Sequence, residues 1–170
     1  MPIVFSTHGD PVGIGHVASL ARPGGNATGL TTLLTELVAK ELEAFKEALP
    51  QARRVGVLFA STTPLRVPAL ATAKTTAHRL GVELREVPVS VEEDFQGGFA
   101  KMTHEGVDGC VVLSSPLMIS RRELLGELAL RHRLPSMFGT KENVLAGGLM
   151  SYAPELSIST GERRPTWTGF

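Results

Sequence analysis

Residues 2–30 read PIVFSTHGDPVGIGHVASLARPGGNATGL, and the order of elements in this stretch decides the fold. Residues 3–6 have the composition of a buried strand, and a loop closes on Gly9-Asp10-Pro11. A helix is expected through Val17 and Leu20, then a turn at Pro23-Gly24-Gly25 and a second strand at residues 27–30. That order is a βαβ unit. Asp10 and Pro11 fall where such a unit places its ligand-facing loop, with an aspartate able to cap exposed helix N–H groups and a proline preset for the first turn.

Working outward, residues 35–49 carry Val38, Leu42, Phe45 and Leu49 at helical spacing, and Pro50 ends the run. Residues 54–59 (RVGVLF) suit a strand buried on both faces of a parallel sheet. A helix over residues 67–80 places Val67, Leu70, Ala73, Ala77 and Leu80 on one face and stops at Gly81, a natural left-handed cap. Residues 83–89 alternate as a strand. Ser90 with Glu93, and Ser120 with Glu123, are capping-box patterns opening two further helices, which turn Phe95, Phe99 and Met102 inward in one case and Leu124, Leu125 and Leu128 in the other. Strands at residues 109–113 and 134–138 complete four strands and three short-looped crossovers. The fold class is therefore α/β, a parallel doubly wound sheet with right-handed crossovers.

The chain of 170 residues is 42% hydrophobic, enough to bury a sizeable core. Seventeen basic residues balance seventeen acidic ones, and neither sign forms a run, so a nucleic-acid surface or a polybasic membrane patch is not expected. Cys110 is the single cysteine and lies in an apolar run, which excludes an internal disulfide and points to a buried structural thiol. The sequence as given opens on a strand without the charged and hydrophobic regions of an export signal, and it has no membrane-spanning stretch.

The strings IVF, GDPVG and VASLARPGGNATGL in residues 3–30 resemble the substrate-binding proteins of bacterial ABC importers of the tryptophan/tyrosine type, which typically read IPIVF, GDPVG and LVASLARPGGNVTG. RRVGVL at residues 53–58, RHRLP at 131–135 and AGGLMSY at 146–152 extend the likeness in collinear order to about residue 156. This resemblance implies the periplasmic-binding type I fold, in which two lobes close on a small molecule, an amino acid or a similar solute, and dock on a membrane permease. It also implies a periplasmic or lipid-anchored extracytoplasmic location. Residues 1–32 and 147–156 are then expected to form part of a first lobe, and residues 33–146 a linker helix with a complete second lobe. By this likeness the chain is truncated at both ends. The family continues past residue 156 with a helix resembling DLYRRAATYVDKIL, whereas residues 157–170 lack apolar period. Suitable codons read in a shifted frame restore a family-like string there, so this tail is expected to be frameshifted and unpacked.

Candidate ligand-binding residues follow from sheet geometry, because ligands of open parallel sheets sit beyond the C-terminal ends of the strands. These positions are Asp10 and Pro11 in the first loop, Ser61 and Thr62 after the RVGVLF strand, Ser114 and Ser115 after the next buried strand, and Thr140 and Glu142 in the last loop. Tyr152 follows a strand expected near the hinge. Each has a plainer role: Asp10 as an N-cap, the hydroxyls as helix caps, Tyr152 as a half-buried core residue. Where the family usually has Asn-Pro and an acidic step, this sequence has hydroxyls, which argues against transferring tryptophan specificity.

Other chemistries find little support. Gly13 and Gly15 match part of a dinucleotide fingerprint, but Ala18 stands at the third glycine and no acidic residue closes the second strand. The five histidines have no metal-ligand spacing, and His78, His104 and His132 fall on helix surfaces or ends. No nucleophile elbow, zinc-protease or phosphate-loop pattern occurs. A non-enzymatic binding protein without cofactor or metal is expected; a ligand-sensing domain of a regulator built on the same fold is the alternative.

Overall fold

A computed structural model describes residues 1–153; the expectation for residues 157–170 lies outside them. Two parallel sheets organise the chain. The first pairs β1 (Ile3–His8) with β2 (Ala27–Thr31), in register Ile3 with Ala27 and Val4 with Thr28. The second has five strands in the order β4-β3-β5-β6-β7: β3 (Arg54–Ala60), β4 (Glu83–Val89), β5 (Gly109–Val112), β6 (Ser136–Phe138) and β7 (Met150–Ser151). Helices α1 (Leu34–Ala48), α2 (Arg66–Leu80), α3 (Asp94–His104), α4 (Pro116–Ser120), α5 (Arg122–Arg131) and α6 (Lys141–Leu145) connect them.

Alternation along the buried strands splits the core into two layers. Val55, Val57, Phe59, Val111, Leu113 and Met137 meet Val38, Leu42 and Phe45 of α1 and Ala69, Ala73 and Ala77 of α2. Leu58, Val87, Cys110, Val112 and Phe138 meet Phe95, Phe99 and Met102 of α3 and Leu125 and Leu128 of α5. Successive side chains of a strand point to opposite faces, so one sheet buries both sets. Burial pushes the Cys110 thiol up to about 12, as an inert structural cysteine requires. Gly81 ends α2 at φ 65°, the left-handed cap its position predicts.

Several local expectations are corrected. Residues 11–20 form turns instead of a helix: Asp10 Oδ1 accepts the Gly13 N–H at 2.7 Å, and Gly15 enters the left-handed region at φ 81°, which breaks helical continuation. The first strand is not buried, since Ile3 and Val4 are 52% and 67% exposed in a sheet that has two strands among the described residues. Neither capping box forms. Asp94 takes the N–H groups of Ser90 and Val91 on its own carboxylate, while the Ser90 hydroxyl bonds to Ser61. The Ser120 hydroxyl donates back to Leu117. His132 stands at the C-terminal end of α5, as expected, and is half-buried there, its ring bonding Thr103 at 3.0 Å.

The largest topological difference is β7. Residues 147–156 were expected to return to the first lobe, yet Met150 pairs with Met137 and Ser151 with Phe138, which makes β7 the fifth strand of the second sheet. A two-residue strand gives no periodicity to read, and parallel pairing with β6 supplies the backbone partners that the AGGLMSY string does not reveal.

Candidate ligand cleft

Chain order fixes where the site lies. From β3 the chain crosses to β4 on one side, then returns past β3 to place β5 on the other. The loops leaving the C-terminal ends of β3 and β5 therefore diverge, and the gap between them is the usual ligand crevice of an open parallel sheet. A cleft of about 500 Å³ opens there, within the range that holds small organic molecules. Thr63 and Leu65 wall it after β3, Ser114 to Pro116 after β5, and Gly139 to Glu142 after β6. His8, Gly9 and Thr32 bring the two-stranded piece against the same cleft, and Leu34 adds the first turn of α1. At the entry to α1, Leu33 adopts the left-handed region at φ 48°, with its N–H on Thr31 Oγ1 at 3.2 Å, and this turns the chain from β2 into the helix.

Four of the nine sequence candidates stand on the wall: Ser114, Ser115, Thr140 and Glu142. Ser115 also caps α4, accepting the Met118 N–H at 3.3 Å, and the Thr140 hydroxyl donates to Asn143 Oδ1 at 2.6 Å. The other five are not among the lining residues. Asp10 is tied to Gly13 and to the Thr35 hydroxyl, and Pro11 is buried behind it. Ser61 donates its hydrogen bond towards β4, with Val89 O at 3.1 Å, and Thr62 is exposed. Tyr152 is 41% exposed while its neighbours Ser151 and Ala153 line the cleft. Among the described residues no cluster of His, Cys, Asp and Glu could hold a metal ion.

One unusual residue behind the wall, next to Gly139, was not singled out by the sequence reading. Glu41 is 2% exposed, and burial raises its carboxyl to about 8. Its signal was present in the sequence: it lies seven residues after Leu34, three after Val38 and four before Phe45, on the inward stripe of α1. A charged residue on an apolar stripe marks either a partner or a function.

Ser115 offers a separate test of the α4 cap. Ser115→Ala should cost about 1 kcal/mol of stability in urea unfolding, because the Met118 N–H loses its acceptor in a buried setting. Unchanged stability would mean that this bond contributes nothing net.

The sequence matches the family described as ABC transporter substrate binding protein over residues 1–158, and the chain belongs to that family. It is 24% identical over 149 residues to a tyrosine-binding protein of Clostridioides difficile, covering 88% of this chain and 42% of that one. The fold resembles that of an ABC domain in complex with L-Trp from Streptococcus pneumonia, with a TM-score of 0.78 and 22% identity over 91% of this chain and 52% of the other. It also resembles a conserved domain protein from Vibrio cholerae, at TM-score 0.79 and 27% identity over 89% and 50%. Such neighbours place the architecture with the type I periplasmic-binding proteins, as the resemblance implied. The chain spans about half the length of the relatives it matches.

Proposed function

We propose that the protein is the solute-binding component of an ABC importer, or the part of one that carries most of a ligand cleft. The observation that carries this reading is the 500 Å³ cleft at the point where the sheet order reverses, walled by hydroxyls, backbone and a few apolar side chains. Its role is to bind and hand over a solute, with no chemical step. Support for an amino acid or similar ligand comes from the relatives, one named tyrosine-binding and another solved with L-Trp. A membrane permease is the corresponding partner, and the working compartment is outside the cytoplasmic membrane. No helix among the described residues is long and apolar enough to cross a membrane.

In this reading, ligand bridges two lobes and so favours the closed state. Residues 1–32 supply only two strands to one side of the cleft, and the relatives are about twice as long. In relatives of that length, part of the binding energy can come from residues that have no counterpart in this sequence. Calorimetry of the 170-residue chain against a panel of natural amino acids should give saturable binding weaker than micromolar. A micromolar or tighter dissociation constant would overturn the shared site, and no saturable binding at all would overturn the cleft as a ligand site.

A further inference from the structure

Glu41 sits in the core layer beneath the cleft, where packing between Val38 and Phe45 calls for an apolar side chain. Its Oε2 is buried and has no hydrogen-bond partner among the described residues, and no salt bridge among them includes it. An unpaired buried acid is costly, so this carboxyl is a receptor waiting for a donor. Its direction is set by Gly139. A Cβ on Gly139 would come within 2.8 Å of Glu41 Oε1 and 2.1 Å of Ser114 Oγ. Gly139 and Ser114 both line the cleft. With no side chain at position 139, the Ser114 hydroxyl and the Glu41 carboxyl both pack close against Gly139, so the buried carboxyl lies directly behind this part of the cleft wall.

We propose that Glu41 is a specificity-determining residue of the cleft, receiving a cationic nitrogen of the solute, a primary ammonium or a guanidinium, beside Ser114 and Gly139. This rests on the reading of the cleft as a solute site. The ionisable residues on the wall itself are His8, Lys141 and Glu142; Lys141 and Glu142 are exposed at the rim. A carboxylate shielded from water discriminates more strongly than a rim charge, because its only alternative partner is a proton. In the empty cleft burial keeps that proton on, and an incoming cation displaces it to solvent. Solutes lacking a cationic nitrogen leave Glu41 protonated and gain nothing from it.

Three probes separate the outcomes: phenethylamine with an ammonium alone, L-phenylalanine with ammonium and carboxylate, and 3-phenylpropionate with carboxylate alone. Each is added at millimolar concentration to the 170-residue chain labelled at the glutamate carboxyl carbons, and Glu41 and the cleft amides are followed by NMR. Phenethylamine and L-phenylalanine should shift the Glu41 carboxyl signal to its ionised position, and Glu41→Gln should weaken both by about tenfold or more. The response to 3-phenylpropionate should be the same in both proteins. Equal binding of the amines by Glu41→Gln, or binding of 3-phenylpropionate as tight as that of phenethylamine, would overturn the role of Glu41 and leave the solute site standing. No change at the cleft with any probe would overturn both. Should Glu41→Gln fail to fold, the Glu41 signal of the unaltered chain decides alone: a carboxyl that stays protonated while the amines bind refutes the proposal.

Discussion

Unfolding free energy is expected to fall as the pH rises from about 4.5 to about 8, by roughly 3–5 kcal/mol, and Glu41→Met should abolish most of that slope. The sign follows from proton counting. Burial holds the Glu41 proton on the folded chain until about pH 8, whereas the unfolded chain releases it near the ordinary glutamate value. In that window the folded state binds more protons, so its advantage is fully present below the unfolded value and is lost as the pH passes through the folded one. Asp94 and Asp108 act in a separate window. Backbone N–H groups hold both carboxyls below their usual range, those of Ser90 and Val91 for Asp94 and those of Arg54 and Arg53 for Asp108, so their contributions disappear only in acid. Urea unfolding at a series of pH values checks the expectation. Methionine fills the same volume without a charge to desolvate, so the variant should gain most at pH 8 and little at pH 5. A flat profile for the unaltered chain would mean that water or another residue reaches the carboxyl.

Phe99→Ala should remove about 3–5 kcal/mol of stability, as expected for truncating a fully buried phenylalanine. Phe99 is fully buried in α3, within the layer formed with Leu58, Val87, Phe95 and Met102, and its ring lies 5.9 Å from that of His132. Truncation removes the ring's transfer free energy and leaves a cavity that the rigid sheet cannot close. The urea midpoint should fall with an unchanged slope. Val67→Ala on the exposed side of α2, where Val67 is 64% exposed, should stay within about 0.5 kcal/mol and serves as the control. A loss under 1 kcal/mol at Phe99 would contradict the packing described for α3.

Much of the five-stranded sheet was legible because β3, β5 and β6 are buried on both faces and the helices against them carry apolar stripes. RVGVLF, with Val55, Val57 and Leu58 fully buried, and the stripe Phe95, Phe99, Met102 can be read in no other way. Residues 11–20 misled because Val17 and Leu20 carry a helical spacing while Gly13 and Gly15 dictate a turn, and local backbone geometry outweighed the spacing. The capping boxes were true patterns with a stronger competitor, the Asp94 carboxylate in one case and a short helix ending at Ser120 in the other. Strand C-termini led to the loops of Ser114, Ser115, Thr140 and Glu142, which line the cleft. A sequence cannot say which way a hydroxyl turns, and Ser61 turned towards β4. Glu41 was overlooked because it belongs to a helix interior, whereas attention to loops follows strand ends.

The pairing of β1 with β2 has a consequence for handling the protein. Among the described residues each of these strands has one neighbour, so two rows of backbone donors and acceptors stand open beside the exposed side chains of Ile3, Val4 and Leu30. Such an edge is a template for any extended segment that can align with it, including the same strand of another copy. Concentration then becomes as important a variable as temperature or denaturant: dilute samples report the fold of one chain, and crowded ones report how chains complete each other's sheets.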